Sequence, residues 1–291
     1  MREYRGETFA EAYNLALQDV YENPEFKTAP RGMKIREVTN AALVINDPTE
    51  CLYENDRRSS QFKYIAAELV WYFSGRKDTG FIEPFAKFWK QIENEDGTVN
   101  SAYGNLIFRE KNEFDKTQWN WAYNSLVQDK DTRQAIMHFN KPHHQYEGNK
   151  DFVCTLTGIF HIRENQLHFS IDMRSNDLIL GTPTDIAFFC MLQQQMLVLL
   201  KPHYPKLELG TYTHYVHSLH IYERHFDLIK EMLKHPFTSM SFPDIRESLV
   251  DKDGLPMLNL SILESKIELN QYSEFHDPLY EWLSEAIFKN I

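Results

Sequence analysis

The chain lacks most of the features that mark common functional classes. It has only three cysteines in 291 residues, Cys51, Cys154 and Cys190, and none forms a Cys-x-x-Cys pair. That excludes zinc-ribbon and dithiol redox motifs, and wide odd spacing fits free thiols in a reducing, cytoplasmic compartment. The eleven glycines never fall as Gly-x-Gly, so dinucleotide and P-loop phosphate cradles are excluded. Lys and Arg total 31 against 42 Asp and Glu, a net charge of −11 without a basic block. Phosphate backbones are neutralised by clustered cations, so no nucleic acid partner is expected. No apolar run is long enough for a bilayer, and Ile186 to Leu200 is broken by Gln193, Gln194 and Gln195. Met1-Arg2-Glu3-Tyr4-Arg5 leads into no apolar stretch, so no secretory leader is expected. Twelve histidines are present, but His214 and His217, three apart on a strand, point to opposite faces. No metal site is expected.

Hydrophobic content of 42% and charge content of 25% suffice for a buried core. There are no repeats, linkers or low-complexity segments, so one domain over residues 1–291 is expected. Phe9, Tyr13, Leu17 and Val20 recur at helical spacing, ending before Pro24. Phe62, Ile65, Leu69 and Phe73 form a second helical stripe stopped by Gly75. Phe81, Phe85, Phe88 and Trp89 suggest a third, and Trp119, Ala122 and Leu126 a fourth. Val38 to Ile45, Ala135 to Phe139, Phe152 to Ile162 and Leu167 to Met173 read as strands, the last two joined by a hairpin. Pro183 opens a long helix through Leu200. Leu207 to Val216 reads as a strand, Leu219 to Leu233 as a helix, Met257 to Leu269 as a strand and Leu279 to Ile287 as a helix. Strands and helices mix without strict alternation. The fold class expected is α+β, a mixed sheet with helices packed on it.

The chemistry concentrates in one region. Cys154 is followed by Asp172-Met173-Arg174-Ser175-Asn176-Asp177, then Gly181, Pro183 and Asp185. A thiol is the strongest uncharged nucleophile precursor among side chains, and a nearby arginine favours its thiolate. Arginine and serine together grip a phosphate through a guanidinium fork and a hydroxyl. The competing reading is a buried thiol beside a solvated turn.

At these residues the chain resembles the thymidylate synthase superfamily. The family pattern is a catalytic cysteine, then Arg-Ser-x-Asp-x-x-Leu-Gly-x-Pro-x-Asn-Ile-Ala. Cys154, Arg174, Ser175, Asp177, Leu180, Gly181, Pro183, Ile186 and Ala187 fall in register. Glu68, within Glu68-Leu69-Val70-Trp71-Tyr72-Phe73-Ser74-Gly75, is similar to the catalytic glutamate segment. Trp89, Gly97, Tyr103 and Gly104 match another stretch, Asp131-Thr132-Arg133 a phosphate segment, and His220-Ile221-Tyr222 a sugar segment. The resemblance covers about residues 30 to 230. It implies a thymidylate synthase-like fold with a sheet face at a homodimer interface. It also implies a nucleotide substrate and methylenetetrahydrofolate as co-substrate. Cys154, Glu68, Asp185 and Tyr103 would be catalytic. Arg174, Ser175, Asp185, His220 and Tyr222 would bind nucleotide, with Arg133 reaching the partner's site. Arg31, displaced by one residue from the family's mobile arginine, would be a further phosphate ligand. Asp177, Trp89 and Gly181 would bind the folate. Tyr103 reads equally as a core aromatic, and Glu68 lies among residues that suit a buried helix.

The departures point to a branch. The family's base-reading asparagine is Asp185, the histidine after the nucleophile is Thr155, and Ser218 precedes Leu219-His220. These features resemble the phage-type deoxycytidylate hydroxymethylases. Uracil presents an N3–H donor and an O4 acceptor, which one amide satisfies. Cytosine presents an N4 donor, and N3 becomes a donor once protonated, so a carboxylate suits it and would oppose O4 of uracil. The other reading of Asp185 is a helix-start carboxylate favoured by the dipole. Hydroxymethylation of dCMP is therefore expected. The alternatives are methylation or hydroxymethylation of dUMP, or a non-catalytic nucleotide-binding protein.

Overall fold

Long-range pairing between strands far apart in sequence organises the chain. The computed structural model describes residues 1–58, 61–245, 249–252, 255–258 and 260–289. It resolves two compact units, each assembled from separate stretches of chain. The first comprises Met1–Ser60, Cys154–Leu197 and Lys206–Phe242, and the second Gln61–Val153, Val198–Pro205 and Pro243–Ile291.

The first unit is built on a mixed sheet. Strand β1 (Arg2–Gly6) leads into helix α1 (Phe9–Glu22). Thr8 caps this helix by accepting the Glu11 N–H at 3.3 Å. The predicted stripe Phe9, Tyr13, Leu17 and Val20 is fully buried. Strands β2 (Phe26–Thr28), β3 (Ile35–Ile45) and β4 (Leu52–Asn55) follow. The unit resumes with β6 (Thr155–Arg163), β7 (Gln166–Met173), the two-residue β8 (Asn176–Asp177) and helix α7 (Thr182–Leu200). It ends with β9 (Glu208–Tyr222), α8 (Phe226–Met232) and β10 (Phe237–Met240). The strands run in the order β1-β3-β9-β7-β6, with β2 on β3 and β8 on β9. The predicted β6–β7 hairpin turns through Glu164 and Asn165, both at positive φ of 51° and 60°. Such a turn matches the right-handed strand twist.

One face of the sheet carries the core. Phe160 and Phe169 stack at 4.0 Å, and Phe169 meets Phe189 of α7 edge-on at 6.3 Å. Truncating a ring packed like Phe169 costs about 3–5 kcal/mol. The opposite face alternates to half-exposed Thr157, Ile159, Ser170 and Asp172 and exposed Tyr215 and His217.

The second unit is mainly helical. It contains α2 (Phe62–Ser74), α3 (Thr79–Ile82), α4 (Phe88–Ile92), α5 (Tyr103–Phe108), α6 (Gln118–Gln128) and strand β5 (Ile136–His138). A short hairpin, β11 (Leu249–Lys252) with β12 (Leu255–Leu258), precedes α9 (Ser261–Glu268) and α10 (Pro278–Lys289). Helix α2 ends at Gly75, at φ 72°. The C-terminal helices pack on α2: Trp282 meets Phe62 at 5.9 Å, and Arg76 binds Glu264 and Glu268 at 2.8 and 2.5 Å.

Three expected elements differ. The helix over Phe81 to Trp89 is two short helices, because Pro84 supplies no N–H for the ladder. The helix from Leu219 begins only at Phe226. The strand continues to Tyr222 because β3 pairs with it from Ile35–Tyr222 to Ile45–Tyr212. The strand expected over Met257 to Leu269 contains helix α9, with Leu263 buried on its inner face. Asn259, Asn290 and Ile291 lie outside the described residues.

Candidate active site

The expected site residues divide between the two units. In the first unit, Cys154 sits immediately before β6 and is half-buried. The backbone N–H of Arg174 donates to the Cys154 carbonyl at 2.9 Å, locking the two strand ends together. This brings the Arg174 guanidinium to 3.3 Å from Cys154 Sγ. The same guanidinium donates to Ser175 Oγ at 3.1 Å, and Ser175 Oγ lies 4.0 Å from the sulfur. A cation at this range stabilises negative charge on sulfur, the nucleophilic state. The expected Cys154, Arg174 and Ser175 therefore form one cluster.

Asp177 pairs with His220 across the β8–β9 ladder. Its carboxylate accepts from Ile179 N at 2.9 Å and Leu180 N at 3.3 Å, fixing the loop into α7. His220 is 8% exposed and uses Nδ1–H on the Ser218 carbonyl at 3.1 Å, which leaves Nε2 as an acceptor. Its ring stands perpendicular to Tyr222 at 5.2 Å. Burial chiefly raises the Tyr222 phenol, Asp177 adds to the rise, and Arg31 and Arg224 oppose it. Those couplings place Arg31, Arg224, Asp177 and Cys154 within electrostatic range of one hydroxyl. Arg31 is exposed, in a left-handed conformation at φ 52°.

Asp185 lies in the first turn of α7 and is half-buried. The Asn176 amide donates to Asp185 Oδ2 at 2.7 Å. Burial raises its pKa to about 7, opposed by that hydrogen bond. The edge still open to water tempers the rise. Gly181 is close by: a methyl group there would meet Asn176 Nδ2 at 2.9 Å and Asp185 Oδ2 at 3.5 Å.

The second unit gathers Glu68, Trp89 and Tyr103. Glu68 is 5% exposed, so the buried-helix reading holds. Tyr64 donates to Glu68 Oε1 at 2.6 Å, and the Trp89 indole donates to Tyr64 at 2.9 Å. Tyr72 reaches the same Oε1 at 3.5 Å and stacks on Tyr103 at 5.3 Å. Tyr103 opens α5, which lies so close to α2 that a methyl group on Gly104 would meet the Tyr72 carbonyl at 1.7 Å. Arg133, between α6 and β5, is exposed and forms no ion pair among the described residues. Among the described residues no group of three His, Cys, Asp or Glu could hold a metal, and no helix is long and apolar enough to cross a membrane.

The model of the family described as Thymidylate synthase matches residues 11–277. The chain belongs to the thymidylate synthase family. Family members are folate-dependent one-carbon transferases acting at C5 of pyrimidine nucleotides, and the chain is an enzyme of that kind. It is 31% identical over 233 residues to the deoxycytidylate 5-hydroxymethyltransferase of Enterobacteria phage T6, covering 77% of this chain and 90% of that one. It is 30% identical to the deoxyuridylate hydroxymethyltransferase of Bacillus phage SP01, covering 67% and 52%. The thermostable thymidylate synthase A structure from Bacillus subtilis matches with a TM-score of 0.65 at 19% identity, covering 82% and 90%. The expected family and α+β fold are thus borne out.

Sequence reasoning missed several residues. Asn176 stood inside the polar block without a role, and His214 read as an ordinary histidine. Tyr64 lies one helical turn before Glu68, a spacing that could have paired them. Arg224 carried no sequence signal beyond its closeness to Tyr222.

Proposed function

We propose that the chain, acting as one catalytic domain over residues 1–291, converts dCMP to 5-hydroxymethyl-dCMP with methylenetetrahydrofolate and water. The observation that carries the cytosine assignment is the Asp185 carboxyl, held by the Asn176 amide at 2.7 Å. With a pKa near neutrality, this carboxyl can be acid or carboxylate at working pH. As an acid it donates to cytosine N3 and accepts from the N4 amino group. As a carboxylate it accepts from both once N3 is protonated.

Cys154 forms a sulfur–carbon bond at C6, and the ring's electron pair becomes nucleophilic at C5. Arg174 stabilises the attacking thiolate and, with Ser175, Arg31 and the partner's Arg133, binds the phosphate dianion. His220 and Tyr222 hold the sugar hydroxyl. Glu68, oriented by Tyr64 and Tyr72, organises water and moves the C5 proton, and Tyr103 would assist it. The folate supplies a one-carbon unit at the formaldehyde oxidation level. Asp177 fits its pterin, because a carboxylate has about four lone-pair positions and two of these receive backbone N–H groups. Trp89 and Gly181 would complete that subsite. Expulsion of Cys154 restores the ring double bond. The enzyme is a cytoplasmic homodimer whose sites share arginines.

The test is a product assay with dCMP and dUMP. Hydroxymethylation leaves tetrahydrofolate, whereas methylation yields dihydrofolate. Asp185→Asn should lower kcat/KM for dCMP by more than about a hundredfold, roughly 3 kcal/mol, and raise it for dUMP. Preference for dUMP in the unaltered protein would favour the uridylate reading, consistent with the likeness to the uridylate enzyme.

A further inference from the structure

Asp185 does not stand alone. Behind it runs a chain of buried polar groups within the first unit. Asn176 is 4% exposed, and Thr182, Tyr212 and His214 are fully buried. Asn176 Nδ2 lies 2.7 Å from Asp185 Oδ2. On its other side, Asn176 Oδ1 lies 2.5 Å from Thr182 Oγ1 and 3.2 Å from His214 Nε2. His214 Nδ1 lies 2.8 Å from the Tyr212 hydroxyl.

The polarity of the chain follows from its end. Asn176 presents its amide nitrogen to Asp185 Oδ2, the orientation that an ionised carboxylate, which only accepts, requires. Its carbonyl oxygen then faces Thr182 and His214, both of which must donate. His214 therefore carries its proton on Nε2 and accepts from Tyr212 at Nδ1. Burial lowers the His214 pKa to about 3, so the ring is neutral. Two donors clamp the amide, and a flipped amide would set its oxygen against Asp185 Oδ2 and its N–H groups against the N–H of His214. Gly181 leaves the space this arrangement needs, since a methyl group there would press on Asn176 Nδ2 at 2.9 Å.

We propose that Asn176 is a positioning residue for base selection, clamped by His214, Thr182 and Tyr212 so that its amide holds the Asp185 carboxylate toward the pyrimidine. This rests on Asp185 as the base reader and extends specificity to residues that do not touch the base. Without the amide, Oδ2 loses its fixed donor. The carboxyl can then rotate, or keep a proton to donate to O4 of uracil. Discrimination between the bases should narrow from both sides.

The experiment compares dCMP and dUMP on the same protein preparations, by calorimetric affinity and by kcat/KM. Partial misfolding scales both nucleotides equally, so their ratio isolates positioning from structure. Asn176→Ala should reduce the dCMP:dUMP preference about tenfold, the scale of one charge-assisted hydrogen bond. His214→Phe, which keeps a ring but loses the donor, should shift the ratio in the same direction by less. Gly181→Ala should follow Asn176→Ala without altering any hydrogen-bonding side chain. Asp185→Asn serves as reference. If that variant changes the preference while Asn176→Ala and Gly181→Ala stay within twofold of the unaltered protein, the positioning role is overturned and the base reader stands. If Asp185→Asn leaves the preference unmoved, both ideas fall.

Discussion

At the residue scale, the proposed nucleophile and the proposed base reader have opposite surroundings. Cys154 has the Arg174 guanidinium at 3.3 Å, which favours a thiolate. Asp185 has an amide rather than a cation beside it and titrates near 7. Cys154→Ser should abolish turnover while nucleotide affinity stays within about tenfold, because sulfur acts in the covalent step. Near-normal turnover would remove Cys154 from the mechanism. Cys51 and Cys190 are buried outside the cluster, and alanine at either should retain most activity. Asp185 also predicts a stability effect in the nucleotide-free protein. Its folded value of about 7 exceeds the usual carboxylate range. The folded state therefore binds the extra proton, and that stabilisation is lost as pH rises through 7. A rise of that size corresponds to about 4 kcal/mol by pH 8, which the water-facing edge reduces to roughly 1–3 kcal/mol. Asp185→Asn should thus gain melting temperature over the unaltered protein at pH 8 and lose the gain near pH 4. A pH-independent difference would contradict it. That Cys154, Arg174 and Ser175 come together was legible in sequence because they flank one hairpin. Asn176 and His214 lie 38 positions apart, and the pairing of β7 and β8 with β9 makes them neighbours.

At the element scale, periodicity was a good guide wherever one face of an element met the core. The stripes of α1, α2 and α6, the β6–β7 hairpin and the start of α7 all follow from residue spacing and turn chemistry. Strand β9 was cut short because Leu219 to Leu233 also reads at helical spacing, and the deciding partner, β3, lies more than 170 positions upstream. The C-terminal segment had no assigned role in the sequence. In the structure α9 and α10 brace α2, the helix that carries Glu68. The contact of α5 with α2 is equally demanding. Gly104→Ala would drive a methyl group into the Tyr72 carbonyl, which cannot move without disturbing α2. It should destabilise the fold by about 3 kcal/mol, the upper end of overpacking. Urea titration measures this, and an unchanged midpoint would show that α5 shifts at no cost. Tyr72 stacks on Tyr103 and reaches Glu68, so residual activity should fall more than the folded fraction does.

At the scale of the whole molecule, a chain of net charge −11 must hold a dianionic nucleotide. Under the proposed function, Arg174 and Arg31 of the first unit supply local cations, and Arg224 of the same unit lies over the Tyr222 ring at 4.7 Å. Arg133 is different. It belongs to the second unit, is exposed and has no acidic partner among the described residues. Under the proposed function it serves the site of another subunit. In the proposed dimer, the sheet face opposite the first unit's core would meet such a subunit. A groove of about 300 Å³ there is lined by Thr157, Ile159, Ser170, Asp172, Tyr215 and His217. Tyr215 is 40% exposed on that face, and exposed aromatics of this kind are enriched at protein interfaces. The sequence suggests a dimer only through family resemblance, because nothing in local spacing says which sheet face stays open. Sharing of arginines across subunits has a direct test. Arg133→Ala and Cys154→Ser proteins, each inactive or nearly so, should regain activity when mixed under conditions that exchange subunits. A hybrid dimer would contain one site with both native residues and one with neither. Random exchange of equal amounts would make half the dimers hybrid, so about a quarter of native activity per site is expected, by the statistics of a closed symmetric dimer. Exchange is followed independently by native mass spectrometry of a tagged pair. Demonstrated exchange without recovered activity would mean that Arg133 serves its own subunit or no site at all.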